Sequence, residues 1–258
     1  MSDYKGRFVD NPCRLVIAGM NSLGNKIQIM GMGGRSEGSQ SRRYFFGDDG
    51  TLRAVPLDLA TPPDPLRHYA AMQVSGNVHV AGNGDQTDTI MQSLKDKPPA
   101  RAFREALDTR YCEPDAPLFT PRITTMTTID TTQTCFSLLT PKKLDKKAWK
   151  LGVKDHLNAQ QFPTTRTYTR FDEKRGQGHC LTTYEPGQIE TLPSFRGDPF
   201  PVPLEGDIER ILNYYMYDIL DPRVTALAGK EISPDGIYSI VSLRRGEEPV
   251  LQFSSIFV

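Results

Sequence analysis

At 258 residues, 38% hydrophobic and 24% charged, the chain is long enough to bury one large core and has an ordinary globular balance. Its 31 basic and 31 acidic side chains cancel, so no overall field draws it to nucleic acid or to an anionic membrane, and neither is expected as a partner. Met1 to Arg7 lacks the apolar run of a signal peptide, no stretch reaches membrane-spanning length, and Cys13, Cys112, Cys135 and Cys180 lie far apart; free thiols and a cytoplasmic location are the expectation.

In chain order, Arg14 to Ala18 reads as a strand and Lys26 to Met30 as its alternating partner across the turn Asn21 to Asn25. Gly31 to Arg43 reads as a polar, glycine-rich loop with Arg35, Arg42 and Arg43. Short strands follow at Tyr44 to Phe46 and Leu52 to Val55, then a proline-rich loop from Thr61. Tyr69 to Val74 and Val78 to Ala81 predict a hairpin. A helix is expected from about Asp85–Thr87 to Lys95, capped by Asp85 or Thr87, and a second from Pro99 to Thr109. Arg122 to Ile129 and Thr134 to Leu139 are threonine-rich strands. Thr165 to Phe171 and His179 to Tyr184 read as a further hairpin, Glu205 to Leu220 as a helix, and Gly236 to Leu243 and Val250 to Phe257 as closing strands. Antiparallel hairpins broken by helices predict a layered α+β domain rather than a parallel sheet.

Gly31 to Gly38 does not make a phosphate loop. It lacks a Gly-Lys-Ser/Thr ending, Ser36 sits where a dinucleotide fingerprint needs its third glycine, and the strand-loop-strand context supplies no helix. Arg35, Arg42 and Arg43 still suit bidentate contacts to phosphate, although a solvated basic loop is sufficient to explain them. His68, His79, His156 and His179 show no metal-ligand spacing, no Gly-x-Ser-x-Gly elbow is present, and neither metal nor cofactor is expected. The turn Asn83 to Thr89 is richer in short polar side chains than a helix cap requires.

Several of these segments, in order, resemble the archaeal-type IMP cyclohydrolase family. They are Ala18 to Gly24, Gly34-Arg35-Ser36, Tyr69, Gly82 to Ile90, Thr120-Pro121-Arg122-Ile123, Thr183-Tyr184-Glu185 and Asp221 to Ala226. The two specific blocks are Asn-Gly-x-x-Thr-Asp-Thr-Ile and Thr-Pro-Arg-Ile. The chain departs from the family pattern at Met20, where arginine is expected, and at Asp85 and Gln86, where serine and histidine are expected. The resemblance implies one domain over residues 1–258, with an insertion at about 141–178. It also implies a four-layer αββα sandwich of mainly antiparallel sheets, similar to the N-terminal-nucleophile hydrolase fold.

The implied reaction closes FAICAR to IMP with loss of water. It needs no enzyme nucleophile and no cofactor, and the small-molecule nucleotide is the expected partner; a homo-oligomer is left open. Side-chain chemistry assigns Arg35 and Arg122 to anionic or carbonyl groups, with Arg42 or Arg43 as alternative phosphate contacts. Asn21, Asn83 and Asp88 would orient the base and formyl group, Tyr69 would donate to the formyl oxygen, and Glu113 or Glu185 would act as base. The alternatives are a purine-nucleotide-binding module without the reaction, or a related amide hydrolase.

Overall fold

The computed structural model of the chain describes residues 4–62, 64–143 and 162–254. In chain order its strands begin β1 (Leu15–Met20), β2 (Lys26–Gly33), β3 (Arg42–Phe46), β4 (Leu52–Pro56), β5 (Tyr69–Ser75), β6 (Val78–Gly82) and β7 (Arg122–Thr128). They continue with β8 (Gln133–Pro141), β9 (Thr164–Asp172), β10 (Gln177–Thr182), β11 (Phe200–Pro203), β12 (Val224–Ile232), β13 (Tyr238–Arg244) and β14 (Val250–Ser254). Four α-helices, α1 (Glu37–Gln40), α2 (Gln86–Ser93), α3 (Pro99–Asp108) and α4 (Ile208–Tyr214), stand between strands among the described residues.

Two seven-stranded sheets result, ordered β11-β10-β1-β2-β12-β13-β14 and β3-β4-β5-β6-β7-β8-β9, with antiparallel neighbours throughout. The chain is thus an α+β sandwich, as its alternating hairpins predict. Period-two alternation explains the layering. In β6, Val78 and Val80 join Phe103, Ala106, Leu107 and Ile90 beneath α2 and α3, while Ala81 joins the large core with Leu15 and Ile17. In α3, Pro99 opens the helix, and Ala102, Phe103, Ala106 and Leu107 form the buried face at helical spacing. On the far side, Ile208 and Leu212 of α4 press on Gly229 of β12. β1 and β2 are buried along nearly their whole length because both faces of their sheet are covered. Among the described residues no helix is long and apolar enough to cross a membrane.

Four expectations need correction. Thr165–Phe171 and His179–Tyr184 do not pair as a hairpin: β9 belongs to one sheet and β10 to the other. The corner between them is held by side chains. Lys26 meets Glu173 at 2.6 Å, Thr134 donates to Glu173 at 2.7 Å, and His179 stacks on Phe171 at 3.6 Å. The stretch after Gly33 is not all loop, since Ser36 caps the single turn α1. Asp85 stands at the N-cap of α2 without making a side-chain cap bond, and α2 ends at Ser93. The helix expected to run to Leu220 is α4 only to Tyr214, after which the turn widens into a π-helical segment, Tyr215–Ile219. Of the stretch at 141–178, residues 144–161 lie outside the described residues. Pro141 ends β8, β9 forms a sheet edge, and β10 begins at Gln177.

Gly19 of β1 faces the backbone of β10 so closely that an added Cβ would collide with the Gln177 carbonyl and the Gly178 Cα. Backbone cannot swing aside as a side-chain tip can. Gly19→Ala is therefore expected to lower unfolding free energy by about 1–3 kcal/mol, read as an earlier urea midpoint. An unchanged midpoint would show that β10 yields without cost.

Candidate active site

Because β1 runs from Leu15 to Met20, Arg14 and Asn21 mark opposite ends of the sandwich, roughly 23 Å apart at the usual strand rise. The first residues of β5 and β7, the last of β2 and β6, and the chain just after β10 all come to the Arg14 end. A cavity of about 460 Å³ opens there, lined by Arg14, Arg35, Glu113, Asp115, Thr120 and Tyr184 among others. A second cavity of about 320 Å³ shares Leu66 with it and is lined by Asp85, Arg110, Tyr111, Cys112, Pro114 and Arg122. Both volumes suit a small organic ligand.

Glu113 forms the floor of the larger cavity. Its side chain is 1% exposed, and Oε1 pairs with Nη1 of Arg14, which is 12% exposed. Oε2 is buried with no hydrogen-bond partner among the described residues. Burial pushes the Glu113 carboxyl above the ordinary glutamate value, and the charges of Arg14 and Arg122 only partly oppose it. Asp115 is raised too, again by burial first, although both of its oxygens accept from Thr120, one from the backbone N–H at 2.6 Å and one from the hydroxyl. The Thr120 hydroxyl also lies 2.8 Å from that of Tyr184. Burial pushes Tyr184 up to about 12, against the pull of Arg14 and the Thr120 bond, so it stays a proton donor at neutral pH.

The expected site residues divide by position. Glu113 and Arg35 line the larger cavity, Arg35 from its rim with Nη1 on the Glu190 carbonyl at 2.8 Å. Tyr69 is not among the lining residues. It lies behind them in the charge field of Arg14 and Arg42, and its buried hydroxyl has no partner among the described residues. Arg122 lines the second cavity.

Arg42, fully buried, directs its guanidinium at the carbonyls of Ser39, Arg67 and Gly33, tying α1 and β2 to the loop before β5. Arg43 is exposed on the other face of β3. Asn83, also fully buried, donates to the Pro121 carbonyl and accepts from Ile123 N–H and Gln86, which fixes the start of β7 against the start of α2. Asp88 is exposed and accepts from Gln73 at 2.7 Å, away from both cavities. Asn21 lies at the opposite end, bonded to Glu231 and to the Asn25 N–H. Glu185 accepts from the Arg196 N–H outside the larger cavity.

Arg14, Asp115, Thr120 and Tyr184 also line the larger cavity, and Arg110 the second, although none of them is among the residues expected from sequence. Thr120 and Tyr184 carried a usable signal, since Thr120 opens the Thr-Pro-Arg-Ile block. Tyr184 precedes Glu185 in a matched block, and neighbours in extended chain face opposite ways.

A family model described as IMP cyclohydrolase-like protein matches residues 11–230. No curated protein matches the chain. The match starts just before Arg14 and ends within β12, so it takes in every residue named here as lining either cavity. The chain belongs to the IMP cyclohydrolase-like family.

Proposed function

We propose that the protein is an IMP cyclohydrolase, closing FAICAR to IMP with loss of water. One observation carries this reading beyond family membership. The cavity floor holds a carboxyl raised by burial, with one oxygen on a fixed arginine and the other uncommitted. Ring closure needs such a group, because the carboxamide nitrogen of the substrate is a poor nucleophile until its proton is drawn off.

In this reading Glu113 Oε2 accepts that proton as the nitrogen attacks the formyl carbon. Arg14 stabilises the charge that grows on the formyl oxygen, and the Tyr184 hydroxyl joins it once its proton swings from Thr120 to the ligand, in a site where burial strengthens both. Glu113 returns the carboxamide proton to the formyl oxygen, and the hydroxyl so formed departs as water with the proton lost by the formamido nitrogen as the C=N bond of the closed ring forms. No bond to the enzyme forms. Tyr69, the donor expected from sequence, keeps its hydroxyl uncommitted next to Arg14. Arg35 and Arg122, one in each cavity, serve the anionic or carbonyl parts of the nucleotide.

Incubation of purified protein with FAICAR, with IMP formation followed by chromatography, tests the proposal. Turnover well above the uncatalysed closure is expected. Binding of IMP without turnover would instead identify a nucleotide-binding module of the same fold.

A further inference from the structure

The second cavity contains an arginine pair that already grips an anion, and that anion belongs to the chain. Arg122 is 6% exposed and anchored by Nε to the Tyr111 carbonyl at 2.9 Å and by Nη1 to Gln86 Oε1 at 2.8 Å. The same Nη1 lies 2.8 Å from Asp85 Oδ1, while the other Asp85 oxygen pairs with Nη2 of Arg110. Gly84 makes this approach possible, because a Cβ there would collide with Arg122 Nη1.

Asp85 is oddly employed. It occupies the N-cap of α2, where an aspartate ordinarily caps its own helix, yet it makes no side-chain cap bond. Its carboxylate spans two guanidiniums, one oxygen to each, and is 44% exposed at the cavity mouth. Burial works against its charge, but the Arg110 hydrogen bond and the Arg122 and Arg110 charges outweigh that and hold it below the ordinary aspartate value. Two arginines against one carboxylate leave an excess positive charge in the cavity.

We propose that Arg110 and Arg122 form a subsite for a phosphate monoester, and that Asp85 is a built-in competing anion that such a ligand must displace. The identification of the ligand as a nucleotide rests on the function proposed above, whereas the anion subsite stands on the arginine pair itself. The oxygens of a phosphate monoester can replace the two carboxylate oxygens on the same guanidiniums and carry an additional negative charge. Arg122 is already rigid, so little ordering remains for the ligand to impose. Asp85 lowers apparent affinity by holding the site in its absence, and its release is the step that opens it.

The test uses inorganic phosphate, so that failure of the cyclohydrolase reading leaves it intact. Phosphate is titrated by calorimetry at low ionic strength into wild type, Asp85→Asn, and the double variant Asp85→Asn/Arg110→Ala. Far-ultraviolet circular dichroism checks the fold of each. Asp85→Asn is expected to bind about tenfold more tightly than wild type, as a worthwhile charge competitor is removed, and the double variant is expected to lose that gain. Equal affinity in all three proteins overturns the proposal, as does a gain that survives loss of Arg110. If Asp85→Asn does not fold, Asp85→Ser carries the same comparison. Where turnover of FAICAR is present, Arg110→Ala should raise KM with little change in kcat; an unchanged KM removes the subsite while leaving the reaction standing.

Discussion

Glu113→Gln is expected to cut the rate of IMP formation by about 10²–10⁴-fold, the usual worth of a positioned acid–base group. Glutamine keeps the shape of glutamate and an oxygen facing Arg14, so the substitution removes the proton acceptor while leaving the cavity floor filled. It also removes the charge that balances Arg14, and breaking a buried pair outright costs about 3–5 kcal/mol. Rates must therefore be compared below the melting temperature of the variant. A pH profile separates a chemical role from a structural one. Burial raises the Glu113 carboxyl, so the acid limb of the wild-type kcat/KM profile should lie above the ordinary glutamate value and vanish in the variant. The sign for stability runs the other way. The folded chain holds a proton that the unfolded chain has released, so Glu113 takes stability away as pH rises from the ordinary value through its own. Retained activity with an intact acid limb would move the proton transfer elsewhere.

Much of the fold was legible because alternation is local. The β1–β2 and β5–β6 hairpins need only neighbouring residues to reveal their inward and outward faces, and both stand where the pattern put them. The expected pairing of Thr165–Phe171 with His179–Tyr184 failed for a nonlocal reason. Sequence adjacency suggests a hairpin, but Glu173, held by Thr134 of the neighbouring strand, finds Lys26 in the other sheet, and the chain turns from one sheet into the other. Position in the site was harder to read than position in the fold. Asn83 has the side chain of a ligand-orienting residue and of a buried backbone clamp, and only its three bonds to β7, its approach and α2 tell which bonds it makes. Arg42 looked like a phosphate contact among three arginines of one polar stretch, whereas its guanidinium meets three carbonyls inside the protein. Arg14 carried no local signal. Its importance comes from Glu113, 99 residues away along the chain, arriving at the same end of the sandwich.

At the other end of the same interior, Lys230→Met is expected to raise stability at neutral pH. Lys230 of β12 is fully buried, and its ammonium has no hydrogen-bond partner among the described residues. It lies 4.8 Å from the centroid of the Tyr238 ring, which His79 meets edge-on at 5.5 Å. Burial lowers Lys230 to about 7, and lowers His79 to about 2 with the charges of Lys230 and Lys26 adding to the effect. Between about 7 and the ordinary lysine value of about 10.4, the unfolded chain binds a proton that the folded chain does not. Stability therefore rises with pH across that window and is least below it. For a shift of roughly three units the change is at most about 4–5 kcal/mol, because the shift comes from burial alone and a desolvated cation–π contact with Tyr238, worth about 2 kcal/mol, works against it. His79 adds a loss on the acid side, as pH falls from about 6.5 toward its own lowered value. Methionine keeps the length of the lysine stem and brings no charge, and replacing buried ionic groups by apolar ones of similar volume often gains about 1–4 kcal/mol. Urea unfolding of wild type and Lys230→Met at pH 6.5 and 9.5 reads the difference. The variant should be the more stable at pH 6.5, and its change between the two pH values should be the smaller. A wild-type slope that persists in Lys230→Met would assign the titration to another group, and a variant weaker at pH 6.5 would mean that the contact with Tyr238 outweighs the desolvation of the ammonium.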